Sequence, residues 1–198
     1  MGRNTPQMNN VQLKDYLESH LNGELQWLLR AATEWHAQKQ LNLRVGGYHA
    51  QVYAMDSAFL HARTLFEFFT KNTSDNYYAV DAYGLAPIQS PLYTNNWVGV
   101  LHGYLMHAQD RSSPRQLTSF DGSTSRDLNQ MPTDFAREVV RLWTEFCKEL
   151  ASSSDSNISA LEPIARRILQ EATNNAAAVL NRKSVHELGM SAVTAIVW

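Results

Sequence analysis

Arg63 lies one helical turn after Phe59 and three after Val52, with the acidic Asp56 two turns before it and Glu67 one turn after it. A guanidinium at the margin of an apolar face needs a carboxylate, because it gives up hydration that only a charged hydrogen-bond partner replaces. Asp56 or Glu67 supplies it. Further along, His107 and Arg111 stand one turn apart at the edge of the face made by Trp97, Leu101 and Tyr104, which sets both toward a neighbouring helix. If Arg63 came together with His107 and Arg111, the three would form a small-anion or phosphate site, with His61 or His107 as proton carrier. The catalytic candidates are accordingly His107, Arg111, Arg63 and His61, and the binding candidates Asp56, Arg63, Glu67, His107 and Arg111. The same residues also have a structural use, as ion pairs and a hydrogen-bonded imidazole that fix helix register.

Other chemistries are harder to build. Seven histidines invite a metal, yet two ligands on one helix need a spacing of three or four. His102 and His107 are five apart, which turns them about 140° from each other, and His61 has no second histidine at a useful offset. No metal and no cofactor is expected. Cys147, the only cysteine, can form neither an intrachain disulfide nor a thiolate cage, and its place on the apolar side of a helix suits a buried small hydrophobe rather than a nucleophile. The chain has no G-x-S-x-G elbow, no P-loop and no G-x-G-x-x-G, which excludes the families that rely on them.

Arg30 with His36, and Arg44 with His49, fit the pattern R-x4-6-H, which resembles the motif of helical nucleases of the HEPN type. The resemblance implies an arginine and a histidine projecting into a cleft at a dimer interface to act on an RNA phosphodiester. On a continuous helix Arg30 and His36 point about 120° apart, and the Gly46 and Gly47 pair interrupts the second stretch.

Five helices are expected to position these groups. Residues 11–41 carry Leu25, Leu29, Ala32 and His36 on one narrow arc, with Leu21, Leu28 and Trp35 beside it and a break at Gly23. Residues 49–70 alternate steps of three and four through Val52, Met55, Phe59, Ala62, Phe66 and Phe69, the pattern of a central helix. A third helix is expected over 94–109 behind a Thr94 or Asn95 cap. A fourth, over 133–150, starts at a Thr133 cap and buries Phe135, Val139, Leu142, Trp143, Phe146 and Leu150. A fifth begins near Ser159, whose spacing to Glu162 resembles a capping box. Between them lie long loops near 71–93, rich in tyrosine that can pin it to the bundle, and 111–132, whose polar composition suits a mobile segment. The ending SAVTAIVW, within an apolar tail at 190–198, reads as a last strand, a docked tail or a partner contact.

The fold class expected is therefore all-α: one helical domain over residues 1–198, an antiparallel bundle of about five helices. A net charge of -2 gives no field that would draw a polyanion, so a nucleic-acid partner stays an open question, and no run approaches the length of a membrane span. One cysteine and the absence of a secretory-type apolar stretch fit a cytoplasmic location.

YAMDSAFLHARTLFEFF, followed by LHGYLMHAQDR and a tryptophan-bearing helix, resembles a group of uncharacterised bacterial helical proteins over roughly residues 48–148. That likeness implies a bacterial, cytosolic, all-helical protein and names no substrate. Because apolar stripes account for nearly all informative positions, the function expected first is a noncatalytic interaction or scaffold domain. It would have a protein partner, or form a homodimer through an exposed SAVTAIVW. A HEPN-like RNA-binding protein or ribonuclease and a small-anion sensor are the alternatives.

Overall fold

Leu13, Leu17, Leu21, Leu25 and Leu29 recur at strict intervals of four, a spacing that drifts about 40° per step around an α-helix and would carry the row off the core. The structure, a computed structural model describing residues 7–40, 47–74, 77–91, 117–118, 125–126, 131–186, 196 and 198, shows how the drift is absorbed. Helix α1 (Asn10–Asp15) runs into a π-helical segment (Tyr16–Leu21) and on into α2 (Asn22–Gln40). The wider π turns rotate the row back, and all five leucines are buried. The rod is opened by an Asn9–Gln12 capping box, each side chain bonding the other's backbone N–H. Gly23, expected to break the helix, lies inside α2; the irregularity sits one turn earlier and is set by leucine spacing, not by glycine.

Helix α3 (Gly47–Thr70) starts at the second glycine of its Gly-Gly pair and returns antiparallel to α2, as contacts of Glu24 with His61 and of Gln38 with Gln51 show. Helix α4 (Met131–Ser152) buries the expected stripe but begins two residues before Thr133, which is therefore inside its first turn; Pro132, without an N–H to lose, is well placed there. The one-turn α5 (Ser156–Ser159), capped by Asp155, leads into α6 (Glu162–His186). The Ser159 hydroxyl donates to the carbonyl of Ser156 and the Glu162 carboxylate accepts from Arg166, so the capping box expected between them does not form.

Chain direction follows from the contacts. Phe59 and Phe66 meet Phe135, while Phe69 meets Trp143 and Phe146 further on, so α3 and α4 run parallel. Glu18 meets Arg167 and Gln26 meets Asn175, so the α1–α2 rod and α6 run parallel too. The bundle is two antiparallel hairpins, α2–α3 and α4–α6, stacked up-down-down-up, and parallel neighbours α3 and α4 require the long connection between residues 70 and 131. The first part of that connection is pinned as expected. Tyr83, in a 3₁₀ turn (Val80–Tyr83) closed by Gly84 at φ 71°, packs edge-on against Phe68 and Phe146 and donates its buried hydroxyl to the Leu13 carbonyl at 2.9 Å.

The helix expected over 94–109 lies outside the described residues. Within 111–132, expected to be wholly irregular, Leu117–Thr118 and Ser125–Arg126 (β1 and β2) form a two-residue antiparallel ladder. The class is all-α. Of the tail, Trp198 packs half-buried against the core of its own chain, and residues 190–195 and 197 lie outside the described residues.

Phe146 touches Phe68, Phe69, Tyr83 and Trp143 together. Phe146→Ala is expected to lower unfolding free energy by about 3–5 kcal/mol in urea denaturation, against under about 1 kcal/mol for the exposed Val11→Ala.

Candidate functional site

Of the two polar constellations expected from the sequence, the one on α3 lies within the described residues. Arg63 finds its carboxylate in Glu67, one turn on, at 3.7 Å, and Glu67 Oε1 also accepts from Lys71 at 2.7 Å. Glu67 thus stands between two cations on one helix edge. Asp56, half-buried two turns earlier, is held by other contacts. His107 and Arg111 lie outside the described residues, so the convergence of Arg63 with them is an expectation the structure does not address.

His61 faces the opposite way, across the α2–α3 hairpin. Its Nδ1 lies 2.8 Å from Glu24 Oε2, so Nδ1 carries the proton and the carboxylate accepts it. Its ring stacks on Trp27 with centroids 6.4 Å apart and planes 17° from parallel. An imidazole oriented by a carboxylate is the arrangement of a general base, but among the described residues no nucleophile is hydrogen-bonded to it. Ser57, one turn before His61, makes no hydrogen bond to it among the described residues, and Cys147 is buried on α4. Burial pushes the Cys147 thiol up from 9.0 to about 11, leaving it protonated near neutrality.

From His61 an open groove runs along the hairpin. It has a volume of about 440 Å³ and is walled by Trp27, Arg30 and Glu34 of α2 and by Tyr53 and Ser57 of α3, with Val179 of α6 at one side. Ala31, Ala50 and Ala54 make its floor, so side-chain size decides its depth. The helical steps 24–27–31–34 and 50–54–57–61 align these residues as two facing stripes. Trp27 is 59% and Tyr53 70% exposed, an unusual display of aromatic surface in a chain whose other described aromatics are mostly covered. The Glu34 carboxylate accepts from Gln38 at 2.7 Å, and Arg30 makes no ion pair among the described residues.

Of the two R-x4-6-H pairs, Arg30 and His36 do not converge. Arg30 lines the groove and His36, about 120° round α2, does not; Arg44 and the His49 side chain lie outside the described residues. Groups of three or more potential metal ligands are absent among the described residues, and no described helix is long and apolar enough to cross a membrane. Comparison with protein-family models, curated proteins and solved structures returned no match.

Sequence reasoning passed over Glu138. It is buried on α4, takes both Nε and Nη2 of Arg141 at 2.9 and 2.7 Å, and accepts from Ser90 at 2.8 Å, while Arg141 also donates to the Gln89 carbonyl. This fork ties the loop before residue 91 to α4 and raises the already high Arg141 pKa, chiefly through the Glu138 hydrogen bonds. A glutamate one turn after Asp134 inside an apolar stripe was the available signal.

Two outcomes are expected. In a double-mutant cycle with Glu24→Gln and His61→Asn, urea titrations should give a coupling of about 0.5–1 kcal/mol, because the pair is only partly buried. For Cys147, the folded thiol holds its proton more tightly than the unfolded one, so the stability it contributes is intact below pH 9.0 and is lost as pH rises toward about 11. Cys147→Ala should flatten the fall in stability over that interval, and at pH 8 the wild-type thiol should react with a disulfide reagent only at the rate of unfolding.

Proposed function

We propose that this chain is a noncatalytic interaction domain of the cytoplasm that uses the α2–α3 groove to hold a protein partner. The observation that carries the reading is the contrast between its polar and its aromatic groups. Glu24 engages His61, and Arg63 engages Glu67, whereas Trp27 and Tyr53 stand exposed on either side of an alanine-floored groove. Exposed aromatic anchors beside small residues are what a partner's side chains fit, since aromatic burial supplies most of the energy at protein interfaces. A catalytic groove would instead gather its titratable groups toward a reacting atom. The cytoplasmic part of the proposal rests on the single, buried cysteine.

The test compares the two sets of residues in the organism that carries the chain. Trp27→Ala combined with Tyr53→Ala should reproduce the fitness profile of a deletion strain, with the variant protein folded and present at normal level. His61→Ala, Arg63→Ala and His107→Ala should each behave as wild type in that profile and in assays of RNA cleavage. The reverse pattern, with the histidine and arginine variants inactive and the aromatic variant normal, would establish a catalytic site and overturn the proposal.

A further inference from the structure

We infer that the occupant of the groove is the same face of a second copy of this chain, related by a two-fold axis. The inference rests on the groove's being a partner surface and names the partner. A two-fold axis pairs residue i of one copy with j of the other and j with i, so a suitable face must carry its own complement. The groove does. Arg30, which has no ion pair among the described residues, and the Glu34 carboxylate line the same wall of α2 one turn apart. When α2 lies antiparallel to its copy with the axis midway between them, each Arg30 reaches the other copy's Glu34. Ala31 sits beside that axis, small enough to let the two backbones approach.

The same register places the aromatics. An axis that pairs residue 30 with 34 brings Trp27 to the level of residue 37 in the other copy. There, as the Gln51 to Gln38 hydrogen bond shows, α2 runs beside the start of α3. Ala50 and Tyr53 face the groove at that level, so each Trp27 enters the alanine-floored end of the other copy's groove against Tyr53. One arrangement thus covers both exposed aromatics and joins two opposite charges. A small anion as occupant would use Arg30 and be repelled by Glu34; a small cation would meet the converse.

The experiment is sedimentation velocity on the full chain. Wild type should be dimeric at about 100 µM and dissociate on dilution, as expected of an interface of modest size. Arg30→Glu places two acidic groups opposite each other and Glu34→Arg two basic ones, so each variant alone should weaken self-association by more than about tenfold. Both positions line the groove and neither is in the core, and unchanged far-ultraviolet circular dichroism would show that each variant still folds. In an equimolar mixture, one copy is acidic and the other basic at both positions. Opposite charges then face each other at both contacts, and the mixture should sediment as a heterodimer. A mixture that stays monomeric, or a wild type monomeric at about 100 µM, overturns the pairing. If either occurs while Trp27→Ala with Tyr53→Ala still reproduces the deletion profile, the partner-binding reading stands and only its occupant is wrong; if that profile is also normal, both fall.

Discussion

Parallel packing of α3 on α4 is the contact from which the other features of this molecule follow. Phe59, Phe66, Phe68 and Phe69 on one helix meet Phe135, Trp143 and Phe146 on the other, mostly ring edge to ring face, at centroid distances of 5.6 to 5.9 Å. Edge-to-face geometry adds to the burial of such large side chains and fixes their mutual angle, so the two helices cannot slide by a turn without losing several contacts at once. Because the helices run the same way, their connection must travel the length of the bundle, and the chain uses it to insert Tyr83 against Phe68 and Phe146. The Glu138–Arg141–Ser90 network then fastens the same stretch to α4.

With one face of α3 committed to α4, its other face is left to α2, and the difference in side-chain size along that hairpin produces the groove. Near Gly23 the hairpin is closed by the Glu24–His61 contact and the Trp27 stack. Beyond it, alanines at 31, 50 and 54 leave a gap that Trp27 and Tyr53 flank without filling. The charges obey the same division. Those on the edge of α3, Arg63, Glu67 and Lys71, pair with neighbours one turn away, an arrangement worth little energy individually. What the groove retains is apolar wall, one cation and one carboxylate.

Much of this was legible in the sequence. The three-and-four spacing of Phe59, Phe66 and Phe69 and of Phe135, Val139, Leu142 and Phe146 located α3 and α4, because a packed stripe leaves its period in the chain. Arg63's need for a carboxylate, Cys147's burial and the anchoring of the tyrosine-rich loop were readable for the same reason: each follows from what a single residue type requires. The π segment was not read, although leucines at strict fours signal it, since glycine was given the weight that spacing deserved. Chain direction and the groove were beyond local pattern. Whether α3 and α4 are parallel depends on which aromatics meet across the long connection, and a cavity floored by Ala31, Ala50 and Ala54 exists only once two helices are in register. Trp27 and Tyr53 therefore looked like ordinary members of helices, and Glu24, the partner of His61, lies 37 residues before it.

Under the proposed pairing the exposed Trp27 would meet a second copy, whereas the buried Trp143, bonded through its indole N–H to the Ala165 carbonyl, belongs to the core. Fluorine NMR of the chain labelled with 5-fluorotryptophan distinguishes the two, with each resonance assigned by a single Trp→Phe variant. As protein concentration rises, the Trp27 resonance should shift and broaden while that of Trp143 stays fixed. A Trp27 resonance that keeps its position and width over the whole range, free in solvent at every concentration, would contradict the claim that this face exists to be covered by its own copy.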